Sequence, residues 1–151
     1  LSLKLYGARA LMSLRLEKNW GAWTLDFRPD FTAAESGLDA FINWNKDFIG
    51  KKASLAEKKQ GVKKKLVTMT IDTKDVDVTN DEAILKDNKC VGYITSGGYA
   101  HHVKKSMALG YVPEELSKHE TTLDVEINGK LYPAHVTDRP LYDANGQKMR
   151  I

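Results

Sequence analysis

The sequence is poor in cysteine and proline, and it has no long apolar run. Among its 151 residues there are 1 Cys and 4 Pro. The lone Cys90 excludes a disulfide within the chain and is typical of a reducing compartment. No apolar run approaches the roughly 18–20 residues that a transmembrane helix needs, and no secretory signal pattern is present. We therefore expect a cytoplasmic protein with no membrane partner.

The sequence also lacks the common motifs of catalysis and metal binding. It has no phosphate-binding loop, no dinucleotide fingerprint and no motif around a Ser or Cys nucleophile. The side chains of His101 and His102 point apart on an extended chain, since the two residues are adjacent. Neither His119 nor His135 stands at a ligand spacing from them. We therefore predict no metal site and no catalytic residue in this chain.

Charge of neither sign dominates. The sequence has 23 Lys and Arg residues and 20 Asp and Glu residues, which gives a net charge of +3. So small a net charge gives no general affinity for polyanions, and we expect no nucleic-acid partner. The densest basic cluster has no interleaved aromatic residue and is typical of a solvated surface. Its members are Lys58, Lys59, Lys63, Lys64 and Lys65. A non-enzymatic basic β-barrel that binds RNA or a protein is an alternative that only this cluster supports.

From Leu66 onward the sequence has the pattern of successive short strands. Apolar and polar residues alternate in several runs, and turn residues separate these runs. Asn128-Gly129 is the strongest turn signal and predicts a hairpin between residues 121–127 and 130–137. Pro133 places its strand at an edge or a bulge. About six strands at this spacing predict an α+β, mainly β fold with a small antiparallel barrel or sandwich.

The stretch Cys90–Pro113 carries the densest group of candidate functional side chains. It predicts a strand that breaks at Gly97-Gly98 and a second strand that begins near Met107. The connection is too long for a tight hairpin, and long loops often carry function. This loop holds Tyr99, His101, His102, Lys104 and Lys105. We expect it to lie at a domain edge and to be mobile.

Ala8–Lys18 favours a helix, because it contains no Pro and no β-branched residue. On a helical projection Arg15 falls inside an apolar arc, whereas Arg9, Ser13 and Glu17 share the opposite side. A buried guanidinium needs a partner. Arg15 is therefore either half of a structural Arg–carboxylate pair or an anion-facing residue at a pocket wall.

The segment that follows the helix is aromatic and irregular. Asn19-Trp20-Gly21 ends the helix, with Gly21 as a predicted left-handed cap. Trp20 and Trp23 are either core residues or flat faces for a fused-ring ligand. Further along, Phe41–Asn45 predicts a short strand, and Ala53–Gln60 predicts a short helix that ends at a glycine.

Several stretches resemble one known family. Arg9–Trp23, RALMSLRLEKNWGAW, resembles the R-A-L-x-S-L-R-L-E-K helix of the glycine-cleavage T-protein family, which comprises the tetrahydrofolate-dependent aminomethyltransferases. Asp47–Ala53, DFIGKKA, and Gly92–Val112, GYITSGGYAHHVKKSMALGYV, are similar to segments of the same family's C-terminal domain. Gly21–Phe41 resembles most the folate-binding end of the flavin-dependent dimethylglycine and sarcosine dehydrogenases.

The resemblance implies a three-domain, clover-like arrangement with folate in a central hole. Residues 1–50 would be the tail of the central folate-binding domain, and residues 51–151 would be the C-terminal β-barrel. The family's catalytic aspartate, and the FAD domain of the dehydrogenases, precede the region of resemblance. We therefore expect a fragment of a longer protein, since the chain also lacks an initiator Met. The cofactor-binding residues predicted on this basis are Arg15, Glu17, Trp20, Trp23, Tyr99 and His102.

The resemblance implies the C-terminal portion of an enzyme that oxidises an N-methyl amine, as the dimethylglycine and sarcosine dehydrogenases do, and passes the carbon to tetrahydrofolate. A stand-alone T-protein, or a related folate-dependent demethylase without FAD, is the alternative. For the chain alone we expect no activity and weak binding of tetrahydrofolate. We also expect self-association through the helix at Ala8–Lys18. Lys104 or Lys105 would attract the acidic tail of folate, an interaction sensitive to ionic strength.

Overall fold

A computed structural model describes residues 4–150. The alternation at Leu1–Tyr6 is typical of a short strand, but residues 1–3 lie outside the described range and Lys4–Tyr6 have no regular structure. The helices and strands are α1 (Ala8–Glu17), α2 (Lys51–Gln60), β1 (Lys64–Ile71), β2 (Ala83–Lys86), β3 (Lys89–Ala100), β4 (Lys105–Pro113), β5 (Thr122–Ile127) and β6 (Lys130–Thr137). Within residues 4–150, no helix combines the length and the apolar character needed to cross a membrane.

The strands form a closed antiparallel barrel in the order β1-β4-β3-β2-β5-β6. The prediction of a six-stranded antiparallel barrel is therefore confirmed. Each strand pairs with a neighbour on both sides, so the barrel has no edge strand of the kind that serves as a template for aggregation. Buried apolar side chains from the strands pack inside the barrel, among them Val67, Met69, Ile84, Ile94, Ala108, Leu123, Val125 and Val136.

The predicted hairpin at Asn128-Gly129 is present, and a second two-residue hairpin joins β2 to β3 at Asp87-Asn88. Asp87 and Asn88 have φ angles of 50° and 59°, and Asn128 and Gly129 have φ angles of 51° and 75°. Two-residue hairpin turns of this hand favour Asn, Asp and Gly, which tolerate positive φ. Pro133 pairs with Asp124 of β5. The pairing of β6 with β1 covers only residues 134–137, so the missing N–H of Pro133 removes no bond between β6 and β1.

The prediction of a long glycine loop in Cys90–Pro113 was wrong. β3 continues through both glycines to Ala100, and only residues 101–104 make the turn into β4. A Cβ at Gly97 would lie 2.7 Å from the Cγ1 of Val78. This glycine therefore permits close packing within a strand and does not end the strand.

Two further local predictions were wrong. Phe41–Asn45 is not a strand, and the chain there forms a short 3-10 turn, Asp39–Phe41, followed by irregular structure. Gly21 is not the left-handed residue after α1, because Asn19 takes that conformation with a φ of 54°. A Cβ at Gly21 would overlap the ring of Phe27, so this glycine lets the ring pack directly on the backbone.

Candidate functional site

Helix α1 is present as predicted, and it packs on the outer face of β3 and β4 through its polar side. Leu16 is buried there against a small apolar cluster. Ser13 Oγ donates a hydrogen bond to the Tyr99 carbonyl at 2.8 Å, and Glu17 Oε1 accepts the His102 backbone N–H at 2.6 Å. The apolar arc expected to face the core is instead exposed: Leu11, Met12 and Leu14 have 46%, 39% and 51% of their surface exposed.

Arg15 lies in the ion pair that the sequence allowed as one of two readings. Its Nη1 donates to Oδ2 of Asp26 at 2.6 Å. Arg15 is 7% exposed and Asp26 has no exposed surface. The same Nη1 also donates to the Trp20 carbonyl at 3.1 Å. The guanidinium therefore holds the segment after α1 in place, and its charge is matched inside the protein.

The Asp26 carboxylate joins the segment after α1 to strand β3. Its Oδ1 accepts hydrogen bonds from Thr95 Oγ1 at 2.5 Å and from Ser96 Oγ at 2.6 Å. Its Oδ2 also accepts the Ala22 N–H at 2.7 Å. Both carboxylate oxygens thus have strong donors, and a buried carboxylate of this kind is stable only while those donors stay in place.

Tyr111 on β4 completes this network from a neighbouring strand. Its hydroxyl donates to the Asp26 carbonyl at 2.9 Å and lies 2.7 Å from Ser36 Oγ. Because Tyr111 has one hydroxyl proton, Ser36 donates in the second bond. The ring of Phe31 stacks on the Tyr111 ring, with centroids 3.5 Å apart. Residues 22–36 are therefore fixed on the barrel by both polar and aromatic contacts.

Above pH 10 the stability of the protein should fall, in part through Tyr111. Burial raises the pKa of this phenol above 10.0, the hydrogen bond from Ser36 lowers it, and the negative charge of Asp26 raises it again. The unfolded state then loses the proton first, so this contribution is complete below pH 10 and is lost as pH rises through the folded pKa.

Urea unfolding of Tyr111→Phe beside the wild type at pH 8, 10 and 11 measures this effect. At pH 8 the variant should lose about 1–3 kcal/mol, because it leaves the Asp26 carbonyl and Ser36 without their hydroxyl partner. Its loss of stability between pH 8 and 11 should be smaller than that of the wild type. Equal slopes in the two proteins would show that Tyr111 does not carry this pH dependence.

The C-terminal segment covers the side of α1 that bears Glu17. The Tyr142 N–H donates to the Glu17 carbonyl at 3.1 Å, and the Tyr142 ring meets the His102 ring edge-on, with centroids 4.2 Å apart. Lys18 Nζ donates to the Asp143 carbonyl at 2.6 Å. Glu17 is 1% exposed as a result, so its carboxylate orients the turn between β3 and β4 and does not face solvent.

The six predicted cofactor residues fall into two structural groups. Arg15 and Glu17 are buried and bonded to other parts of the protein. Trp20 and Trp23 are 52% and 78% exposed, with flat faces open to a ligand, and Tyr99 is 39% exposed. The structure brings Arg15 close to Trp20 and Glu17 close to His102. Among the described residues, no hydrogen bond, ion pair or ring contact joins Trp23 to either pair, and its ring meets that of Phe27. Binding of folate by these six residues stays a prediction.

The sequence reasoning missed Asp26, Ser36 and Tyr111 as parts of this network. Thr95-Ser96 carried a signal, since the two residues lie in a segment used for the family resemblance. Asp26 carried none, because it is one acidic residue in an irregular stretch.

Within residues 4–150, no group of three or more His, Cys, Asp or Glu residues is arranged to hold a metal ion.

Comparison with known proteins identifies the barrel. Residues 64–143 match the family described as "Glycine cleavage T-protein C-terminal barrel domain". The chain belongs to this family. The matched residues begin with β1 and extend past β6, so they contain the whole closed barrel. The family resemblance seen in the sequence is thereby confirmed, whereas the boundary predicted between residues 50 and 51 stays a prediction.

The relatives are enzymes with longer chains. The chain is 43% identical over 138 residues to "Dimethylglycine dehydrogenase, mitochondrial" of Homo sapiens, covering 90% of this chain and 16% of that protein. It is 36% identical over 141 residues to "Aminomethyltransferase" of Picosynechococcus, covering 92% of this chain and 39% of that protein. The crystal structure of glycine cleavage system aminomethyltransferase T from Bartonella henselae superposes with a TM-score of 0.87 at 25% identity, covering 93% of this chain and 40% of that chain.

Proposed function

We propose that this chain is the barrel portion of a tetrahydrofolate-dependent one-carbon transfer enzyme whose substrate is a small N-methyl amine. The observation that supports this choice is the difference between two relatives. Identity to the human dimethylglycine dehydrogenase is 43%, against 36% to the Picosynechococcus aminomethyltransferase, over similar shares of this chain. The chain spans less than half the length of either relative, so the activity proposed is that of a longer polypeptide.

Tetrahydrofolate is the cofactor that this chain's own residues could help to bind. The exposed rings of Trp20 and Trp23 offer flat apolar faces on which a fused ring can stack. Arg15 and Glu17 would act indirectly, since each holds a neighbouring segment through a hydrogen bond. FAD, which the dehydrogenase reaction would require for electron transfer, has no dinucleotide fingerprint in this sequence. Its site would lie in other parts of the polypeptide.

A stand-alone aminomethyltransferase is the second candidate function. The TM-score of 0.87 to the Bartonella henselae aminomethyltransferase supports it, because the shared fold extends over 93% of this chain. The cytoplasmic location also stays a prediction, and three mammalian relatives carry the word mitochondrial in their names. In either case the barrel would contribute a wall of the folate site, and the reacting groups would come from elsewhere.

An oxidation assay on the complete polypeptide separates the two candidates. N,N-dimethylglycine is added with an artificial electron acceptor, and reduction of the acceptor is followed by absorbance. We expect acceptor reduction that depends on dimethylglycine, because oxidation of the N-methyl group releases two electrons. The matched control is glycine, which has no methyl group and should give no reduction. Absence of reduction, together with folate-dependent release of ammonia from an aminomethyl-loaded carrier, would favour the aminomethyltransferase and contradict the proposal.

A further inference from the structure

The positive charge of the chain is concentrated in one short stretch, residues 46–65. This stretch contains eight Lys, one Asp and one Glu, and so it carries a net charge of +6. The remaining residues have 15 Lys and Arg against 18 Asp and Glu, which gives a net charge of −3. The net charge of +3 for the whole chain therefore conceals a strongly basic region on an otherwise acidic protein.

The lysines of this stretch lie around helix α2, and we call this region the basic surface. Lys52 and Lys59 are seven residues apart, which places them on the same face of α2, and both are exposed. Lys58 and Lys65 line the same cleft beside α2. The lysines of the basic surface are Lys46, Lys51, Lys52, Lys58, Lys59, Lys63, Lys64 and Lys65.

No carboxylate neutralises the ammonium groups of the basic surface. Among residues 4–150, no Asp or Glu lies within salt-bridge distance of any of its lysines. Two of the lysines contact aromatic rings instead. Lys58 Nζ lies 4.8 Å from the centre of the Trp44 ring, and Lys64 Nζ lies 5.7 Å from that of Phe31. Unpaired ammonium groups on one surface produce a positive potential that attracts anions.

A fully exposed aliphatic side chain projects from the same surface. Ile49 lies in the loop that enters α2, and solvent reaches its whole side chain. Lys51 Nζ donates to the Lys46 carbonyl at 2.9 Å, which closes this loop with Ile49 between the two lysines. Leu55 on α2 is also exposed. Aliphatic groups surrounded by lysines suit a partner that is anionic at its surface and apolar just below it.

Anionic lipid fits the basic surface better than RNA or an acidic protein does. All eight cations are Lys, whereas Arg is preferred for nucleic-acid phosphates and Lys is depleted in protein interfaces. Lys58 and Lys64 already lie over Trp44 and Phe31, so the ring faces beside these lysines are not open to stacking with bases. Clusters of roughly 4–8 basic residues on a helical segment are typical of binding to anionic lipids.

We propose that the basic surface docks on a membrane that contains anionic phospholipid. The lysines would lie at the level of the lipid phosphates, and Ile49 would enter the apolar boundary below the headgroups. Such a contact is peripheral and needs no transmembrane helix, whereas the prediction of no membrane partner depended on the absence of such a helix. The proposal goes beyond the proposed function, which assigns no role to residues 46–65.

Co-sedimentation of the protein with lipid vesicles tests the proposal. Vesicles of phosphatidylcholine alone are compared with vesicles in which about a third of the lipid is phosphatidylglycerol. We expect saturable binding to the anionic vesicles and no measurable binding to the neutral ones. Raising the salt concentration from about 0.15 M to about 1 M should lower the affinity about tenfold or more, because salt screens the lysines from the lipid phosphates.

The double variant Lys52→Gln/Lys59→Gln removes two charges from the exposed face of α2. It should bind anionic vesicles about tenfold more weakly than the wild type, since each lysine near an anionic surface adds to the attraction. Lys105→Gln/Lys130→Gln is the matched control, because it removes the same charge from exposed positions towards the other end of the barrel from Lys64. This control should bind within about twofold of the wild type.

Ile49→Ser tests the apolar part of the contact and should weaken binding about threefold without changing the net charge. Far-UV circular dichroism confirms that each variant is folded. Absence of binding to the anionic vesicles, or equal binding to neutral and anionic vesicles, overturns the proposal. An equal loss of binding in the two double variants also overturns it. Binding of a single-stranded RNA oligonucleotide or of poly-L-glutamate, without binding of vesicles, would assign the surface to another polyanion and likewise overturn it.

Discussion

Replacing Asp26 by Ala should lower the free energy of unfolding by about 3–5 kcal/mol, the range measured when one partner of a buried ion pair is removed. The variant leaves the Arg15 guanidinium buried at 7% exposure without its carboxylate. The hydroxyls of Thr95 and Ser96 lose the acceptor that they now reach at 2.5 and 2.6 Å. Because these donors come from α1 and β3, the loss should also loosen the segment after α1 on the barrel surface, while α1 keeps its own bonds to Tyr99 and His102.

Asp30→Ala is the matched control for this prediction. Asp30 pairs with Arg28 at 2.9 Å, but the two side chains are 58% and 39% exposed. Exposed pairs contribute about 0–1 kcal/mol, so this variant should stay close to the wild type. Urea unfolding followed by circular dichroism measures both variants. Equal stability of Asp26→Ala and Asp30→Ala would mean that the buried network does not hold the segment on the barrel.

The second large effect is expected for Gly92→Ala in β3. A Cβ at Gly92 would overlap the backbone carbonyl oxygen of Tyr111 on β4. A side chain could rotate away, but a backbone oxygen inside a closed barrel can move only if the strand pairing changes. We expect a loss of about 4 kcal/mol or more, the range typical of backbone strain and overpacking in a core.

Gly7→Ala is the matched control for Gly92→Ala. Gly7 precedes α1 with a φ of −87°, and a Cβ there would meet nothing within 4 Å. Gly7 is the N-cap of α1, where Ala is less favourable than Gly, so the change should lower the free energy of unfolding by about 1 kcal/mol or less. Thermal unfolding of the two variants compares them directly. A Gly92→Ala protein that melts with the wild type would show that β3 and β4 can separate slightly without loss of stability.

The barrel could be predicted because its signals are local. Asn128-Gly129 requires positive φ at both positions, and the turn has it at 51° and 75°. The same holds for Asp87 and Asn88, and period-two alternation marked the flanking strands. Gly97 was misread because a glycine that ends a strand and a glycine that permits close packing look alike in sequence. Only the position of Val78, far along the chain, distinguishes the two cases.

The candidate site could be predicted only in part. Arg15 was recognised as a residue that needs a partner, since a guanidinium on an apolar arc is unusual. Its partner Asp26 could not be found, because the hydroxyls that mark Asp26 as a buried acceptor belong to Thr95 and Ser96, 69 and 70 residues further along the chain. The orientation of α1 was also misjudged. Local polarity assigned Glu17 to the outer side, whereas the His102 backbone N–H binds it on the inner side.

The measurement that tests the account most directly is the fate of the oxidised carbon in the complete polypeptide. With dimethylglycine as substrate, free formaldehyde and 5,10-methylene-tetrahydrofolate are quantified as tetrahydrofolate is added. If this barrel belongs to a folate-dependent one-carbon enzyme acting on an N-methyl amine, methylene-tetrahydrofolate should rise and formaldehyde should fall until the added folate saturates. Release of all the carbon as formaldehyde, at every tetrahydrofolate concentration and at the rate measured without folate, would contradict the account.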